Sequence, residues 1–283
     1  MYEQFFGLTE KPFSILPDSS CLYMSEGHAK ALTLLQYSIV GRQAFTVITG
    51  EIGSGKTTLI NRLLDDIEDD VTVGLLNFTD PGALDLNEWV AMAFGLDYRG
   101  KSQVELYEEF TAFLIRQYAQ RKYTVLIVDE AQNLAIRGLE RIRMLSNVNA
   151  QKEHLLHLVL VGQPELRDLL NAPELRQLMQ RVSVFYHLDR LSPDETKAYI
   201  GYRLENAGAS SSIFSPAAIK LIMSESQGVP RVINSICDLC LVYAFSAQKH
   251  KIDVRVVRSV IEDRIGMGLV EGSLQQNTGV GVG

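Results

Sequence analysis

Cysteine is scarce in this chain, three among 283 residues. That scarcity excludes a disulfide-stapled scaffold. Cys237-Asp238-Leu239-Cys240 spells C-x-x-C but has neither a second pair nor histidine partners, so both cysteines are read as helical core rather than as a metal or redox site. His154-x-x-His157 is similarly isolated. No run of about 18 or more apolar residues exists, and Met1-Tyr2-Glu3-Gln4 does not resemble a signal peptide. No membrane span is predicted, and a cytoplasmic location is expected. Positive charge is short as well. With 27 Lys and Arg against 34 Asp and Glu the net charge is −7, so no global basic field draws in nucleic acid or acidic lipid, although a local patch stays open. The one tryptophan, Trp89, is read as a core anchor. The remainder, 46% apolar and 22% charged, is ordinary globular composition, long enough for a large domain with a smaller companion.

Against that plain background one stretch stands out, Gly50-Glu51-Ile52-Gly53-Ser54-Gly55-Lys56-Thr57. It follows the β-branched run Phe45-Thr46-Val47-Ile48-Thr49 and precedes 58–64, whose apolar spacing is that of an amphipathic helix. Strand, G-x-x-x-x-G-K-[ST] and helix make a phosphate-binding P-loop. Its glycines let backbone N–H groups turn towards a polyphosphate, and the helix N-terminus adds partial positive charge. Lys56 is expected to reach the β- and γ-phosphates and the Thr57 hydroxyl to hold Mg²⁺.

A second acidic motif follows. Four apolar residues, Val125-Leu126-Ile127-Val128, run into Asp129-Glu130 and predict a buried strand delivering two carboxylates to the phosphate site. Asp129 is expected at Mg²⁺ beside Thr57, and Glu130 is expected to orient or polarise the attacking water. The strand pattern 157–162 ends in Gln163, whose amide is placed either to touch the γ-phosphate or water, or to cap the helix that follows. Further strands are predicted at 71–76 and 182–186, and helices at 29–40, 86–94, 104–120, 139–149 and 164–181. The last of these is basic, with Arg167, Arg176 and Arg181. An arginine there is suited to a neighbouring subunit's γ-phosphate, Arg181 first and Arg176 second, with surface salt bridging as the plain alternative. Ser192-Pro193 with Glu195 marks a helix start, and four helical stretches run from about 193 to 264. Arg231, at the start of one of them, is a candidate to reach the nucleotide.

These parts in this order resemble an AAA+ ATPase over about residues 1–265. More narrowly, Met1-Tyr2-Glu3-Gln4-Phe5-Phe6-Gly7-Leu8 with Lys11-Pro12-Phe13-Ser14, the P-loop with its flanks Thr49 and Thr58, Asp129-Glu130-Ala131-Gln132 and Gly162-Gln163-Pro164-Glu165-Leu166 are similar to the general-secretion-pathway ATPases of the A type. The close branch associated with exosortase and exopolysaccharide loci shares these features. The resemblance implies an α/β P-loop NTPase (AAA+) core with a five-stranded parallel sheet in the order 5-1-4-3-2, followed by a small all-helical lid. It implies ATP and Mg²⁺ as ligands, Gln163 as sensor 1, Arg231 as sensor 2, and Arg181 or Arg176 as the arginine finger. It also implies assembly into a hexamer-like ring or filament, and a membrane-protein partner of an envelope system that would hold the protein at the inner membrane.

The resulting division is a strap over 1–28 packed on the core, the nucleotide-binding domain over 29–190, the lid over 191–265 and a flexible tail over 266–283. Secretion-type members continue into a membrane span and a peptidoglycan-binding domain, neither read here, so the exosortase-associated branch or a shortened chain fits better. The function expected is Mg-dependent ATP hydrolysis that energises or regulates an envelope secretion or export system. Two rival readings are a DNA-binding regulator of transposition of the phage Mu B type, and a nucleotide-gated scaffold with little turnover.

Overall fold

The computed structural model describes residues 1–15, 22–77, 85–150, 153–209 and 211–266. The expected tail from 267 on, Pro17 and Cys21 lie outside the described residues. The chain divides into two units, Pro17–Arg190 and, so far as they are described, Met1–Leu16 with Leu191–Gly283.

The first unit is built on five parallel strands: β1 (Phe45–Gly50), β2 (Val71–Asn77), β3 (Tyr123–Asp129), β4 (Leu156–Gly162) and β5 (Val182–Leu188). Their order is β5-β1-β4-β3-β2, as expected. Every residue of β1, β3 and β4 is buried, whereas the edge strands β2 and β5 carry exposed positions. That is why the three central strands read as continuous apolar runs: parallel strands are covered on both faces. Alternate side chains serve opposite faces. Ile48, Val125, Ile127, Val159 and Val161 meet α2 (Glu26–Val40) and α3 (Lys56–Asp65) through Leu35, Ile39, Leu59 and Leu63. Val47, Leu126, Val128, Leu158 and Leu160 share the other core with α4 (Leu86–Ala93), α5 (Gln103–Ala119), α6 (Ala135–Leu145) and α7 (Pro164–Leu170). Trp89 packs against this second core.

Two predicted helices need correction. The stretch 164–181 is not one helix but α7, a short 3-10 turn at Pro173–Leu175, and α8 (Arg176–Met179). Pro173 cannot continue the α-helical ladder, so the chain restarts there. The helix predicted over 139–149 begins earlier, at Ala135, and stops at Leu145, where Ser146 Oγ donates to Arg143 O at 2.6 Å. A hydroxyl bonded to a helix carbonyl offers the backbone a way out of the helix. Asn149–Ala150 then pairs antiparallel with Glu153–His154.

The second unit holds α9 (Pro193–Asn206), α10 (Pro216–Ser226), α11 (Pro230–Ser246) and α12 (Val254–Gly266). Ser192 and Glu195 close the predicted capping box on α9. The N-terminal segment, expected on the α/β core, belongs to this helical unit instead. Its short helix α1 (Glu3–Phe6) is followed by Thr9, whose N–H donates to Ala207 O at 2.8 Å. Arg203 donates to Pro12 O at 2.6 Å, and Asn234 donates to Ser14 O at 3.1 Å. Tyr2 OH donates to Asp238, and buried Phe13 meets Phe214 edge-on. The aromatics that suggest an ordered strap thus find their apolar partners among these helices. Cys237 and Cys240 are buried on α11, and burial pushes the Cys240 thiol up to about 12. No described helix is long and apolar enough to cross a membrane.

Candidate nucleotide site

Parallel pairing sets Thr49 of β1 against Gly162 of β4, and Val128 of β3 against Leu160 of β4. The C-terminal ends of the three central strands therefore meet at one edge, the usual place for a ligand in an open α/β sheet. β1 ends in Gly50, β3 in Asp129 and β4 in Gly162, so the P-loop, both carboxylates and Gln163 leave the sheet side by side.

The P-loop is tightly enclosed. Gly55 holds φ +100°, and a Cβ there would stand 2.8 Å from His28 Nε2; a Cβ on Gly50 would stand 2.8 Å from Leu188 O. Neither position has room for a side chain. Ser54 is 1% exposed and its Oγ has no hydrogen-bond partner among the described residues. A buried hydroxyl without a partner is costly and suits a loop built to meet an anion's oxygens. Lys56 is 6% exposed, and its Nζ donates to Gly50 O at 2.7 Å and Glu51 O at 2.9 Å. Burial lowers its pKa, against the opposing pull of Glu130, Asp129 and Glu51. Of the other loop residues, Glu51 pairs with Arg190 at 3.2 Å, Ile52 is exposed, Gly53 is left-handed at φ +78°, and Thr58 is partly buried on α3.

Opposite the loop, Thr57 Oγ1 donates to Asp129 Oδ2 at 2.9 Å, and Asp129 Oδ1 accepts the Glu130 N–H at 2.9 Å. Asp129 is 4% exposed, and burial raises its pKa although Thr57, the Glu130 N–H and Lys56 favour its charge. A hydroxyl and a buried carboxylate in contact are the oxygen donors a hard divalent cation takes, so this pair fits Mg²⁺. Glu130 turns the chain in a left-handed conformation, φ 54° and ψ 37°. Its Oε2 accepts from Gln163 Nε2 at 3.0 Å. Gln163 heads α7 without a side-chain cap bond, so its amide serves Glu130 rather than the helix.

The sequence-predicted arginines separate. The Arg181 guanidinium donates to Ser146 Oγ at 2.9 Å, Asn147 Oδ1 at 2.7 Å and Ser146 O at 3.1 Å, and lies over the Phe45 ring. Phe45 begins β1, so Arg181 stands at the end of the strand remote from Gly50. Arg176 begins α8 and is exposed. Arg231 is the second residue of α11, in the helical unit.

Two residues near the loop escaped sequence reasoning. His28, on α2, hydrogen-bonds through Nε2 to Ser54 O at 3.1 Å and through Nδ1 to Ser25 Oγ at 2.7 Å. The carbonyl can only accept, so Nε2 carries the proton and Nδ1 accepts from the serine. Gln132 Nε2 donates to Glu130 Oε2 at 2.6 Å, while its Oε1 accepts the Gln163 N–H at 3.1 Å. Gln132 could be found only through its place in Asp-Glu-Ala-Gln, and His28 stands just before the helix predicted over 29–40 with nothing to mark it.

Residues 40–170 match the model of an AAA domain. Over 253 residues the chain is 40% identical to general secretion pathway protein A of Aeromonas hydrophila, covering 89% of this chain and 46% of that protein. The chain therefore spans about half the length of this relative. Among solved structures it is similar to Drosophila ORC bound to DNA, with TM-score 0.69, 16% identity, and coverage of 94% of this chain and 66% of that one. It is also similar to the ORC2 protein of Aeropyrum pernix in ADPNP and ADP complexes, with TM-score 0.62, 18% identity, and coverage of 86% and 68%. Identities this low speak for the fold alone.

Proposed function

From the premise of a P-loop AAA+ fold with an AAA domain over residues 40–170, we propose that this chain is a Mg-dependent ATPase that works by self-association in a cell-envelope secretion or export system. The observation that carries the reading is the contact of Thr57 with buried Asp129 beside a Glu130 whose carboxylate is held by a neighbouring amide. Nucleotide phosphates would lie along Gly50–Thr58, with Lys56 giving charge to the β- and γ-phosphate oxygens. Mg²⁺ held by Thr57 and Asp129 would supply neutralisation of phosphate charge. Glu130 would accept a hydrogen bond from the attacking water and take its proton, and Gln163 would orient that carboxylate.

Hydrolysis in trans needs an arginine that one protomer can offer to another. Arg176 is better suited than Arg181, because it is exposed while Arg181 is held by three hydrogen bonds. The envelope role is supported by the 40% identity to general secretion pathway protein A. We propose as well a membrane-protein partner, and an inner-membrane location through it, a reading that the same likeness supports.

The deciding experiment is the steady-state ATPase rate over a range of protein concentrations, with and without duplex DNA, at several salt concentrations. Specific activity that rises with protein concentration and ignores DNA is expected. Strong stimulation by DNA that fades steeply with salt would replace this reading with DNA-bound regulation. Absence of turnover under all conditions would replace it with a nucleotide-gated scaffold.

A further inference from the structure

The geometry points to Gln132 as a positioning residue that locks Glu130 and Gln163 into one unit, an inference that rests on the ATPase reading above. Glu130, Gln132 and Gln163 form a closed ring of three hydrogen bonds. Gln132 Nε2 and Gln163 Nε2 both donate to Glu130 Oε2, at 2.6 and 3.0 Å, and Gln132 Oε1 accepts the Gln163 N–H at 3.1 Å. The ring ties the turn after β3 to the start of α7. Both donors use the same carboxylate oxygen. Among the described residues no donor reaches Glu130 Oε1, so on the ATPase reading that oxygen is the one offered to the attacking water.

Gly162 shows that the amide is accommodated in detail. A Cβ at residue 162 would stand 2.7 Å from Gln132 Oε1, closer than real contacts allow. The absence of a side chain on the last residue of β4 is therefore what lets Gln132 reach the Gln163 backbone. Glu130 also sits at φ 54°, a conformation that L-residues rarely adopt, so the turn that carries its carboxylate has to be held by its surroundings. A general base must be held to within a fraction of an ångström, and a misplacement of about 1 Å costs roughly a hundredfold in rate. Gln132 has both the donor and the acceptor needed to hold base and sensor together; Glu, Met or Ala at this position lacks at least one of them.

The test compares wild type, Gln132→Met and Gln132→Glu by ATPase kinetics, fluorescent-nucleotide binding and exchange of the Gln163 backbone amide. Met keeps the length without the amide; Glu keeps the acceptor but removes the donor to Glu130. A kcat lower by about 10- to 100-fold is expected in both, with KM and nucleotide affinity within about threefold. Gln163 amide exchange should quicken in Gln132→Met. In a Glu130→Gln background, Gln132→Met should cause little further loss, because both changes act through one carboxylate. A Gln132→Met enzyme with wild-type kcat would overturn the positioning role while leaving the ATPase reading intact. Equal losses of kcat and nucleotide affinity would also overturn it, by making Gln132 a structural residue of the whole site. A wild type that binds ATP without turning it over would bring down the ATPase reading and the positioning role together.

Discussion

Replacing Glu130 by Gln changes one charge and almost no shape, which makes it the sharpest perturbation of the site. The two donors aimed at Oε2, from Gln132 at 2.6 Å and Gln163 at 3.0 Å, would find an acceptor in the new side-chain carbonyl. What is lost is the charge-assisted share of those bonds, about 1 kcal/mol in total. Part of that is returned, because Glu130 disfavours the charge on buried Asp129 next to it. Stability should therefore stay within about 1 kcal/mol, a melting shift of no more than about 2–4 °C. Glu130 is also one of four carboxylates that favour the charge on Lys56 and promote its protonation against burial. Asp129, Glu51 and Glu165 remain, so ATP affinity should change by no more than about threefold. Turnover, by contrast, loses its general base, and a fall of about 10²- to 10⁴-fold is expected, or about 2.7–5.4 kcal/mol in the barrier. Phosphate release under single-turnover conditions, read beside a nucleotide titration and a melting curve, separates these quantities. Turnover within about threefold of wild type, with binding intact, would remove Glu130 from the mechanism.

Further outcomes follow from the same geometry. Gly55→Ala should weaken ATP binding by about 10- to 100-fold, since Ala at φ +100° costs about 1–2 kcal/mol and its Cβ meets His28 Nε2 at 2.8 Å. His28→Ala should also weaken binding by freeing the Ser54 carbonyl, yet the double mutant should lose less than the sum; strict additivity would show that the two residues do not meet. Arg176→Ala should leave the melting temperature unchanged and remove the concentration-dependent part of turnover. Arg181→Ala should lower the melting temperature by roughly 4–10 °C, from about 2–3 kcal/mol of lost bonds to a charged group. An Arg181→Ala protein that is stable but inactive, paired with an active Arg176→Ala protein, would reverse the assignment. Thr57→Val should raise the Mg²⁺ concentration for half-maximal turnover by about tenfold or more, with nucleotide binding in chelator unaffected; an unchanged Mg²⁺ dependence would take Thr57 out of the metal site.

What could be read from the chain, and what could not, follows from where each interaction's partners lie in sequence. A P-loop is a contiguous device: its strand, glycines, lysine and helix occupy about twenty successive positions, so Gly50 to Thr57 could be assigned from spacing alone. The central strands came through because they are buried on both faces, whereas their order was implied by the resemblance alone. The contact of His28 with Ser54 spans 26 positions, and that of Gln132 with Gln163 spans 31. No periodicity marks such pairs, because each is one bond between separate elements. The same reasoning accounts for the N-terminal segment. Its aromatics announce burial without naming a partner, and Phe13 finds Phe214 two hundred residues on.

Charge leaves the choice between two arginines open in a more instructive way. Arg181 and Arg176 look alike in the sequence, both basic residues close to the start of β5, and the later one lies nearer the strand. An arginine offered to another subunit, however, must not be fully engaged at home. Its worth in trans depends on a guanidinium that can give up its present bonds cheaply. Arg181 would have to abandon Ser146, Asn147 and the Phe45 ring, at the far end of β1 from the P-loop. Arg176, exposed at the start of α8, gives up far less. Pro173 is the residue that makes the difference: by breaking the predicted single helix it sets Arg176 at a new helix start. Restoring a continuous helix with Pro173→Ala should therefore reduce the concentration-dependent turnover while sparing nucleotide binding. Unchanged turnover in that variant, with its helical content measurably raised, would mean that the break is incidental to where Arg176 acts.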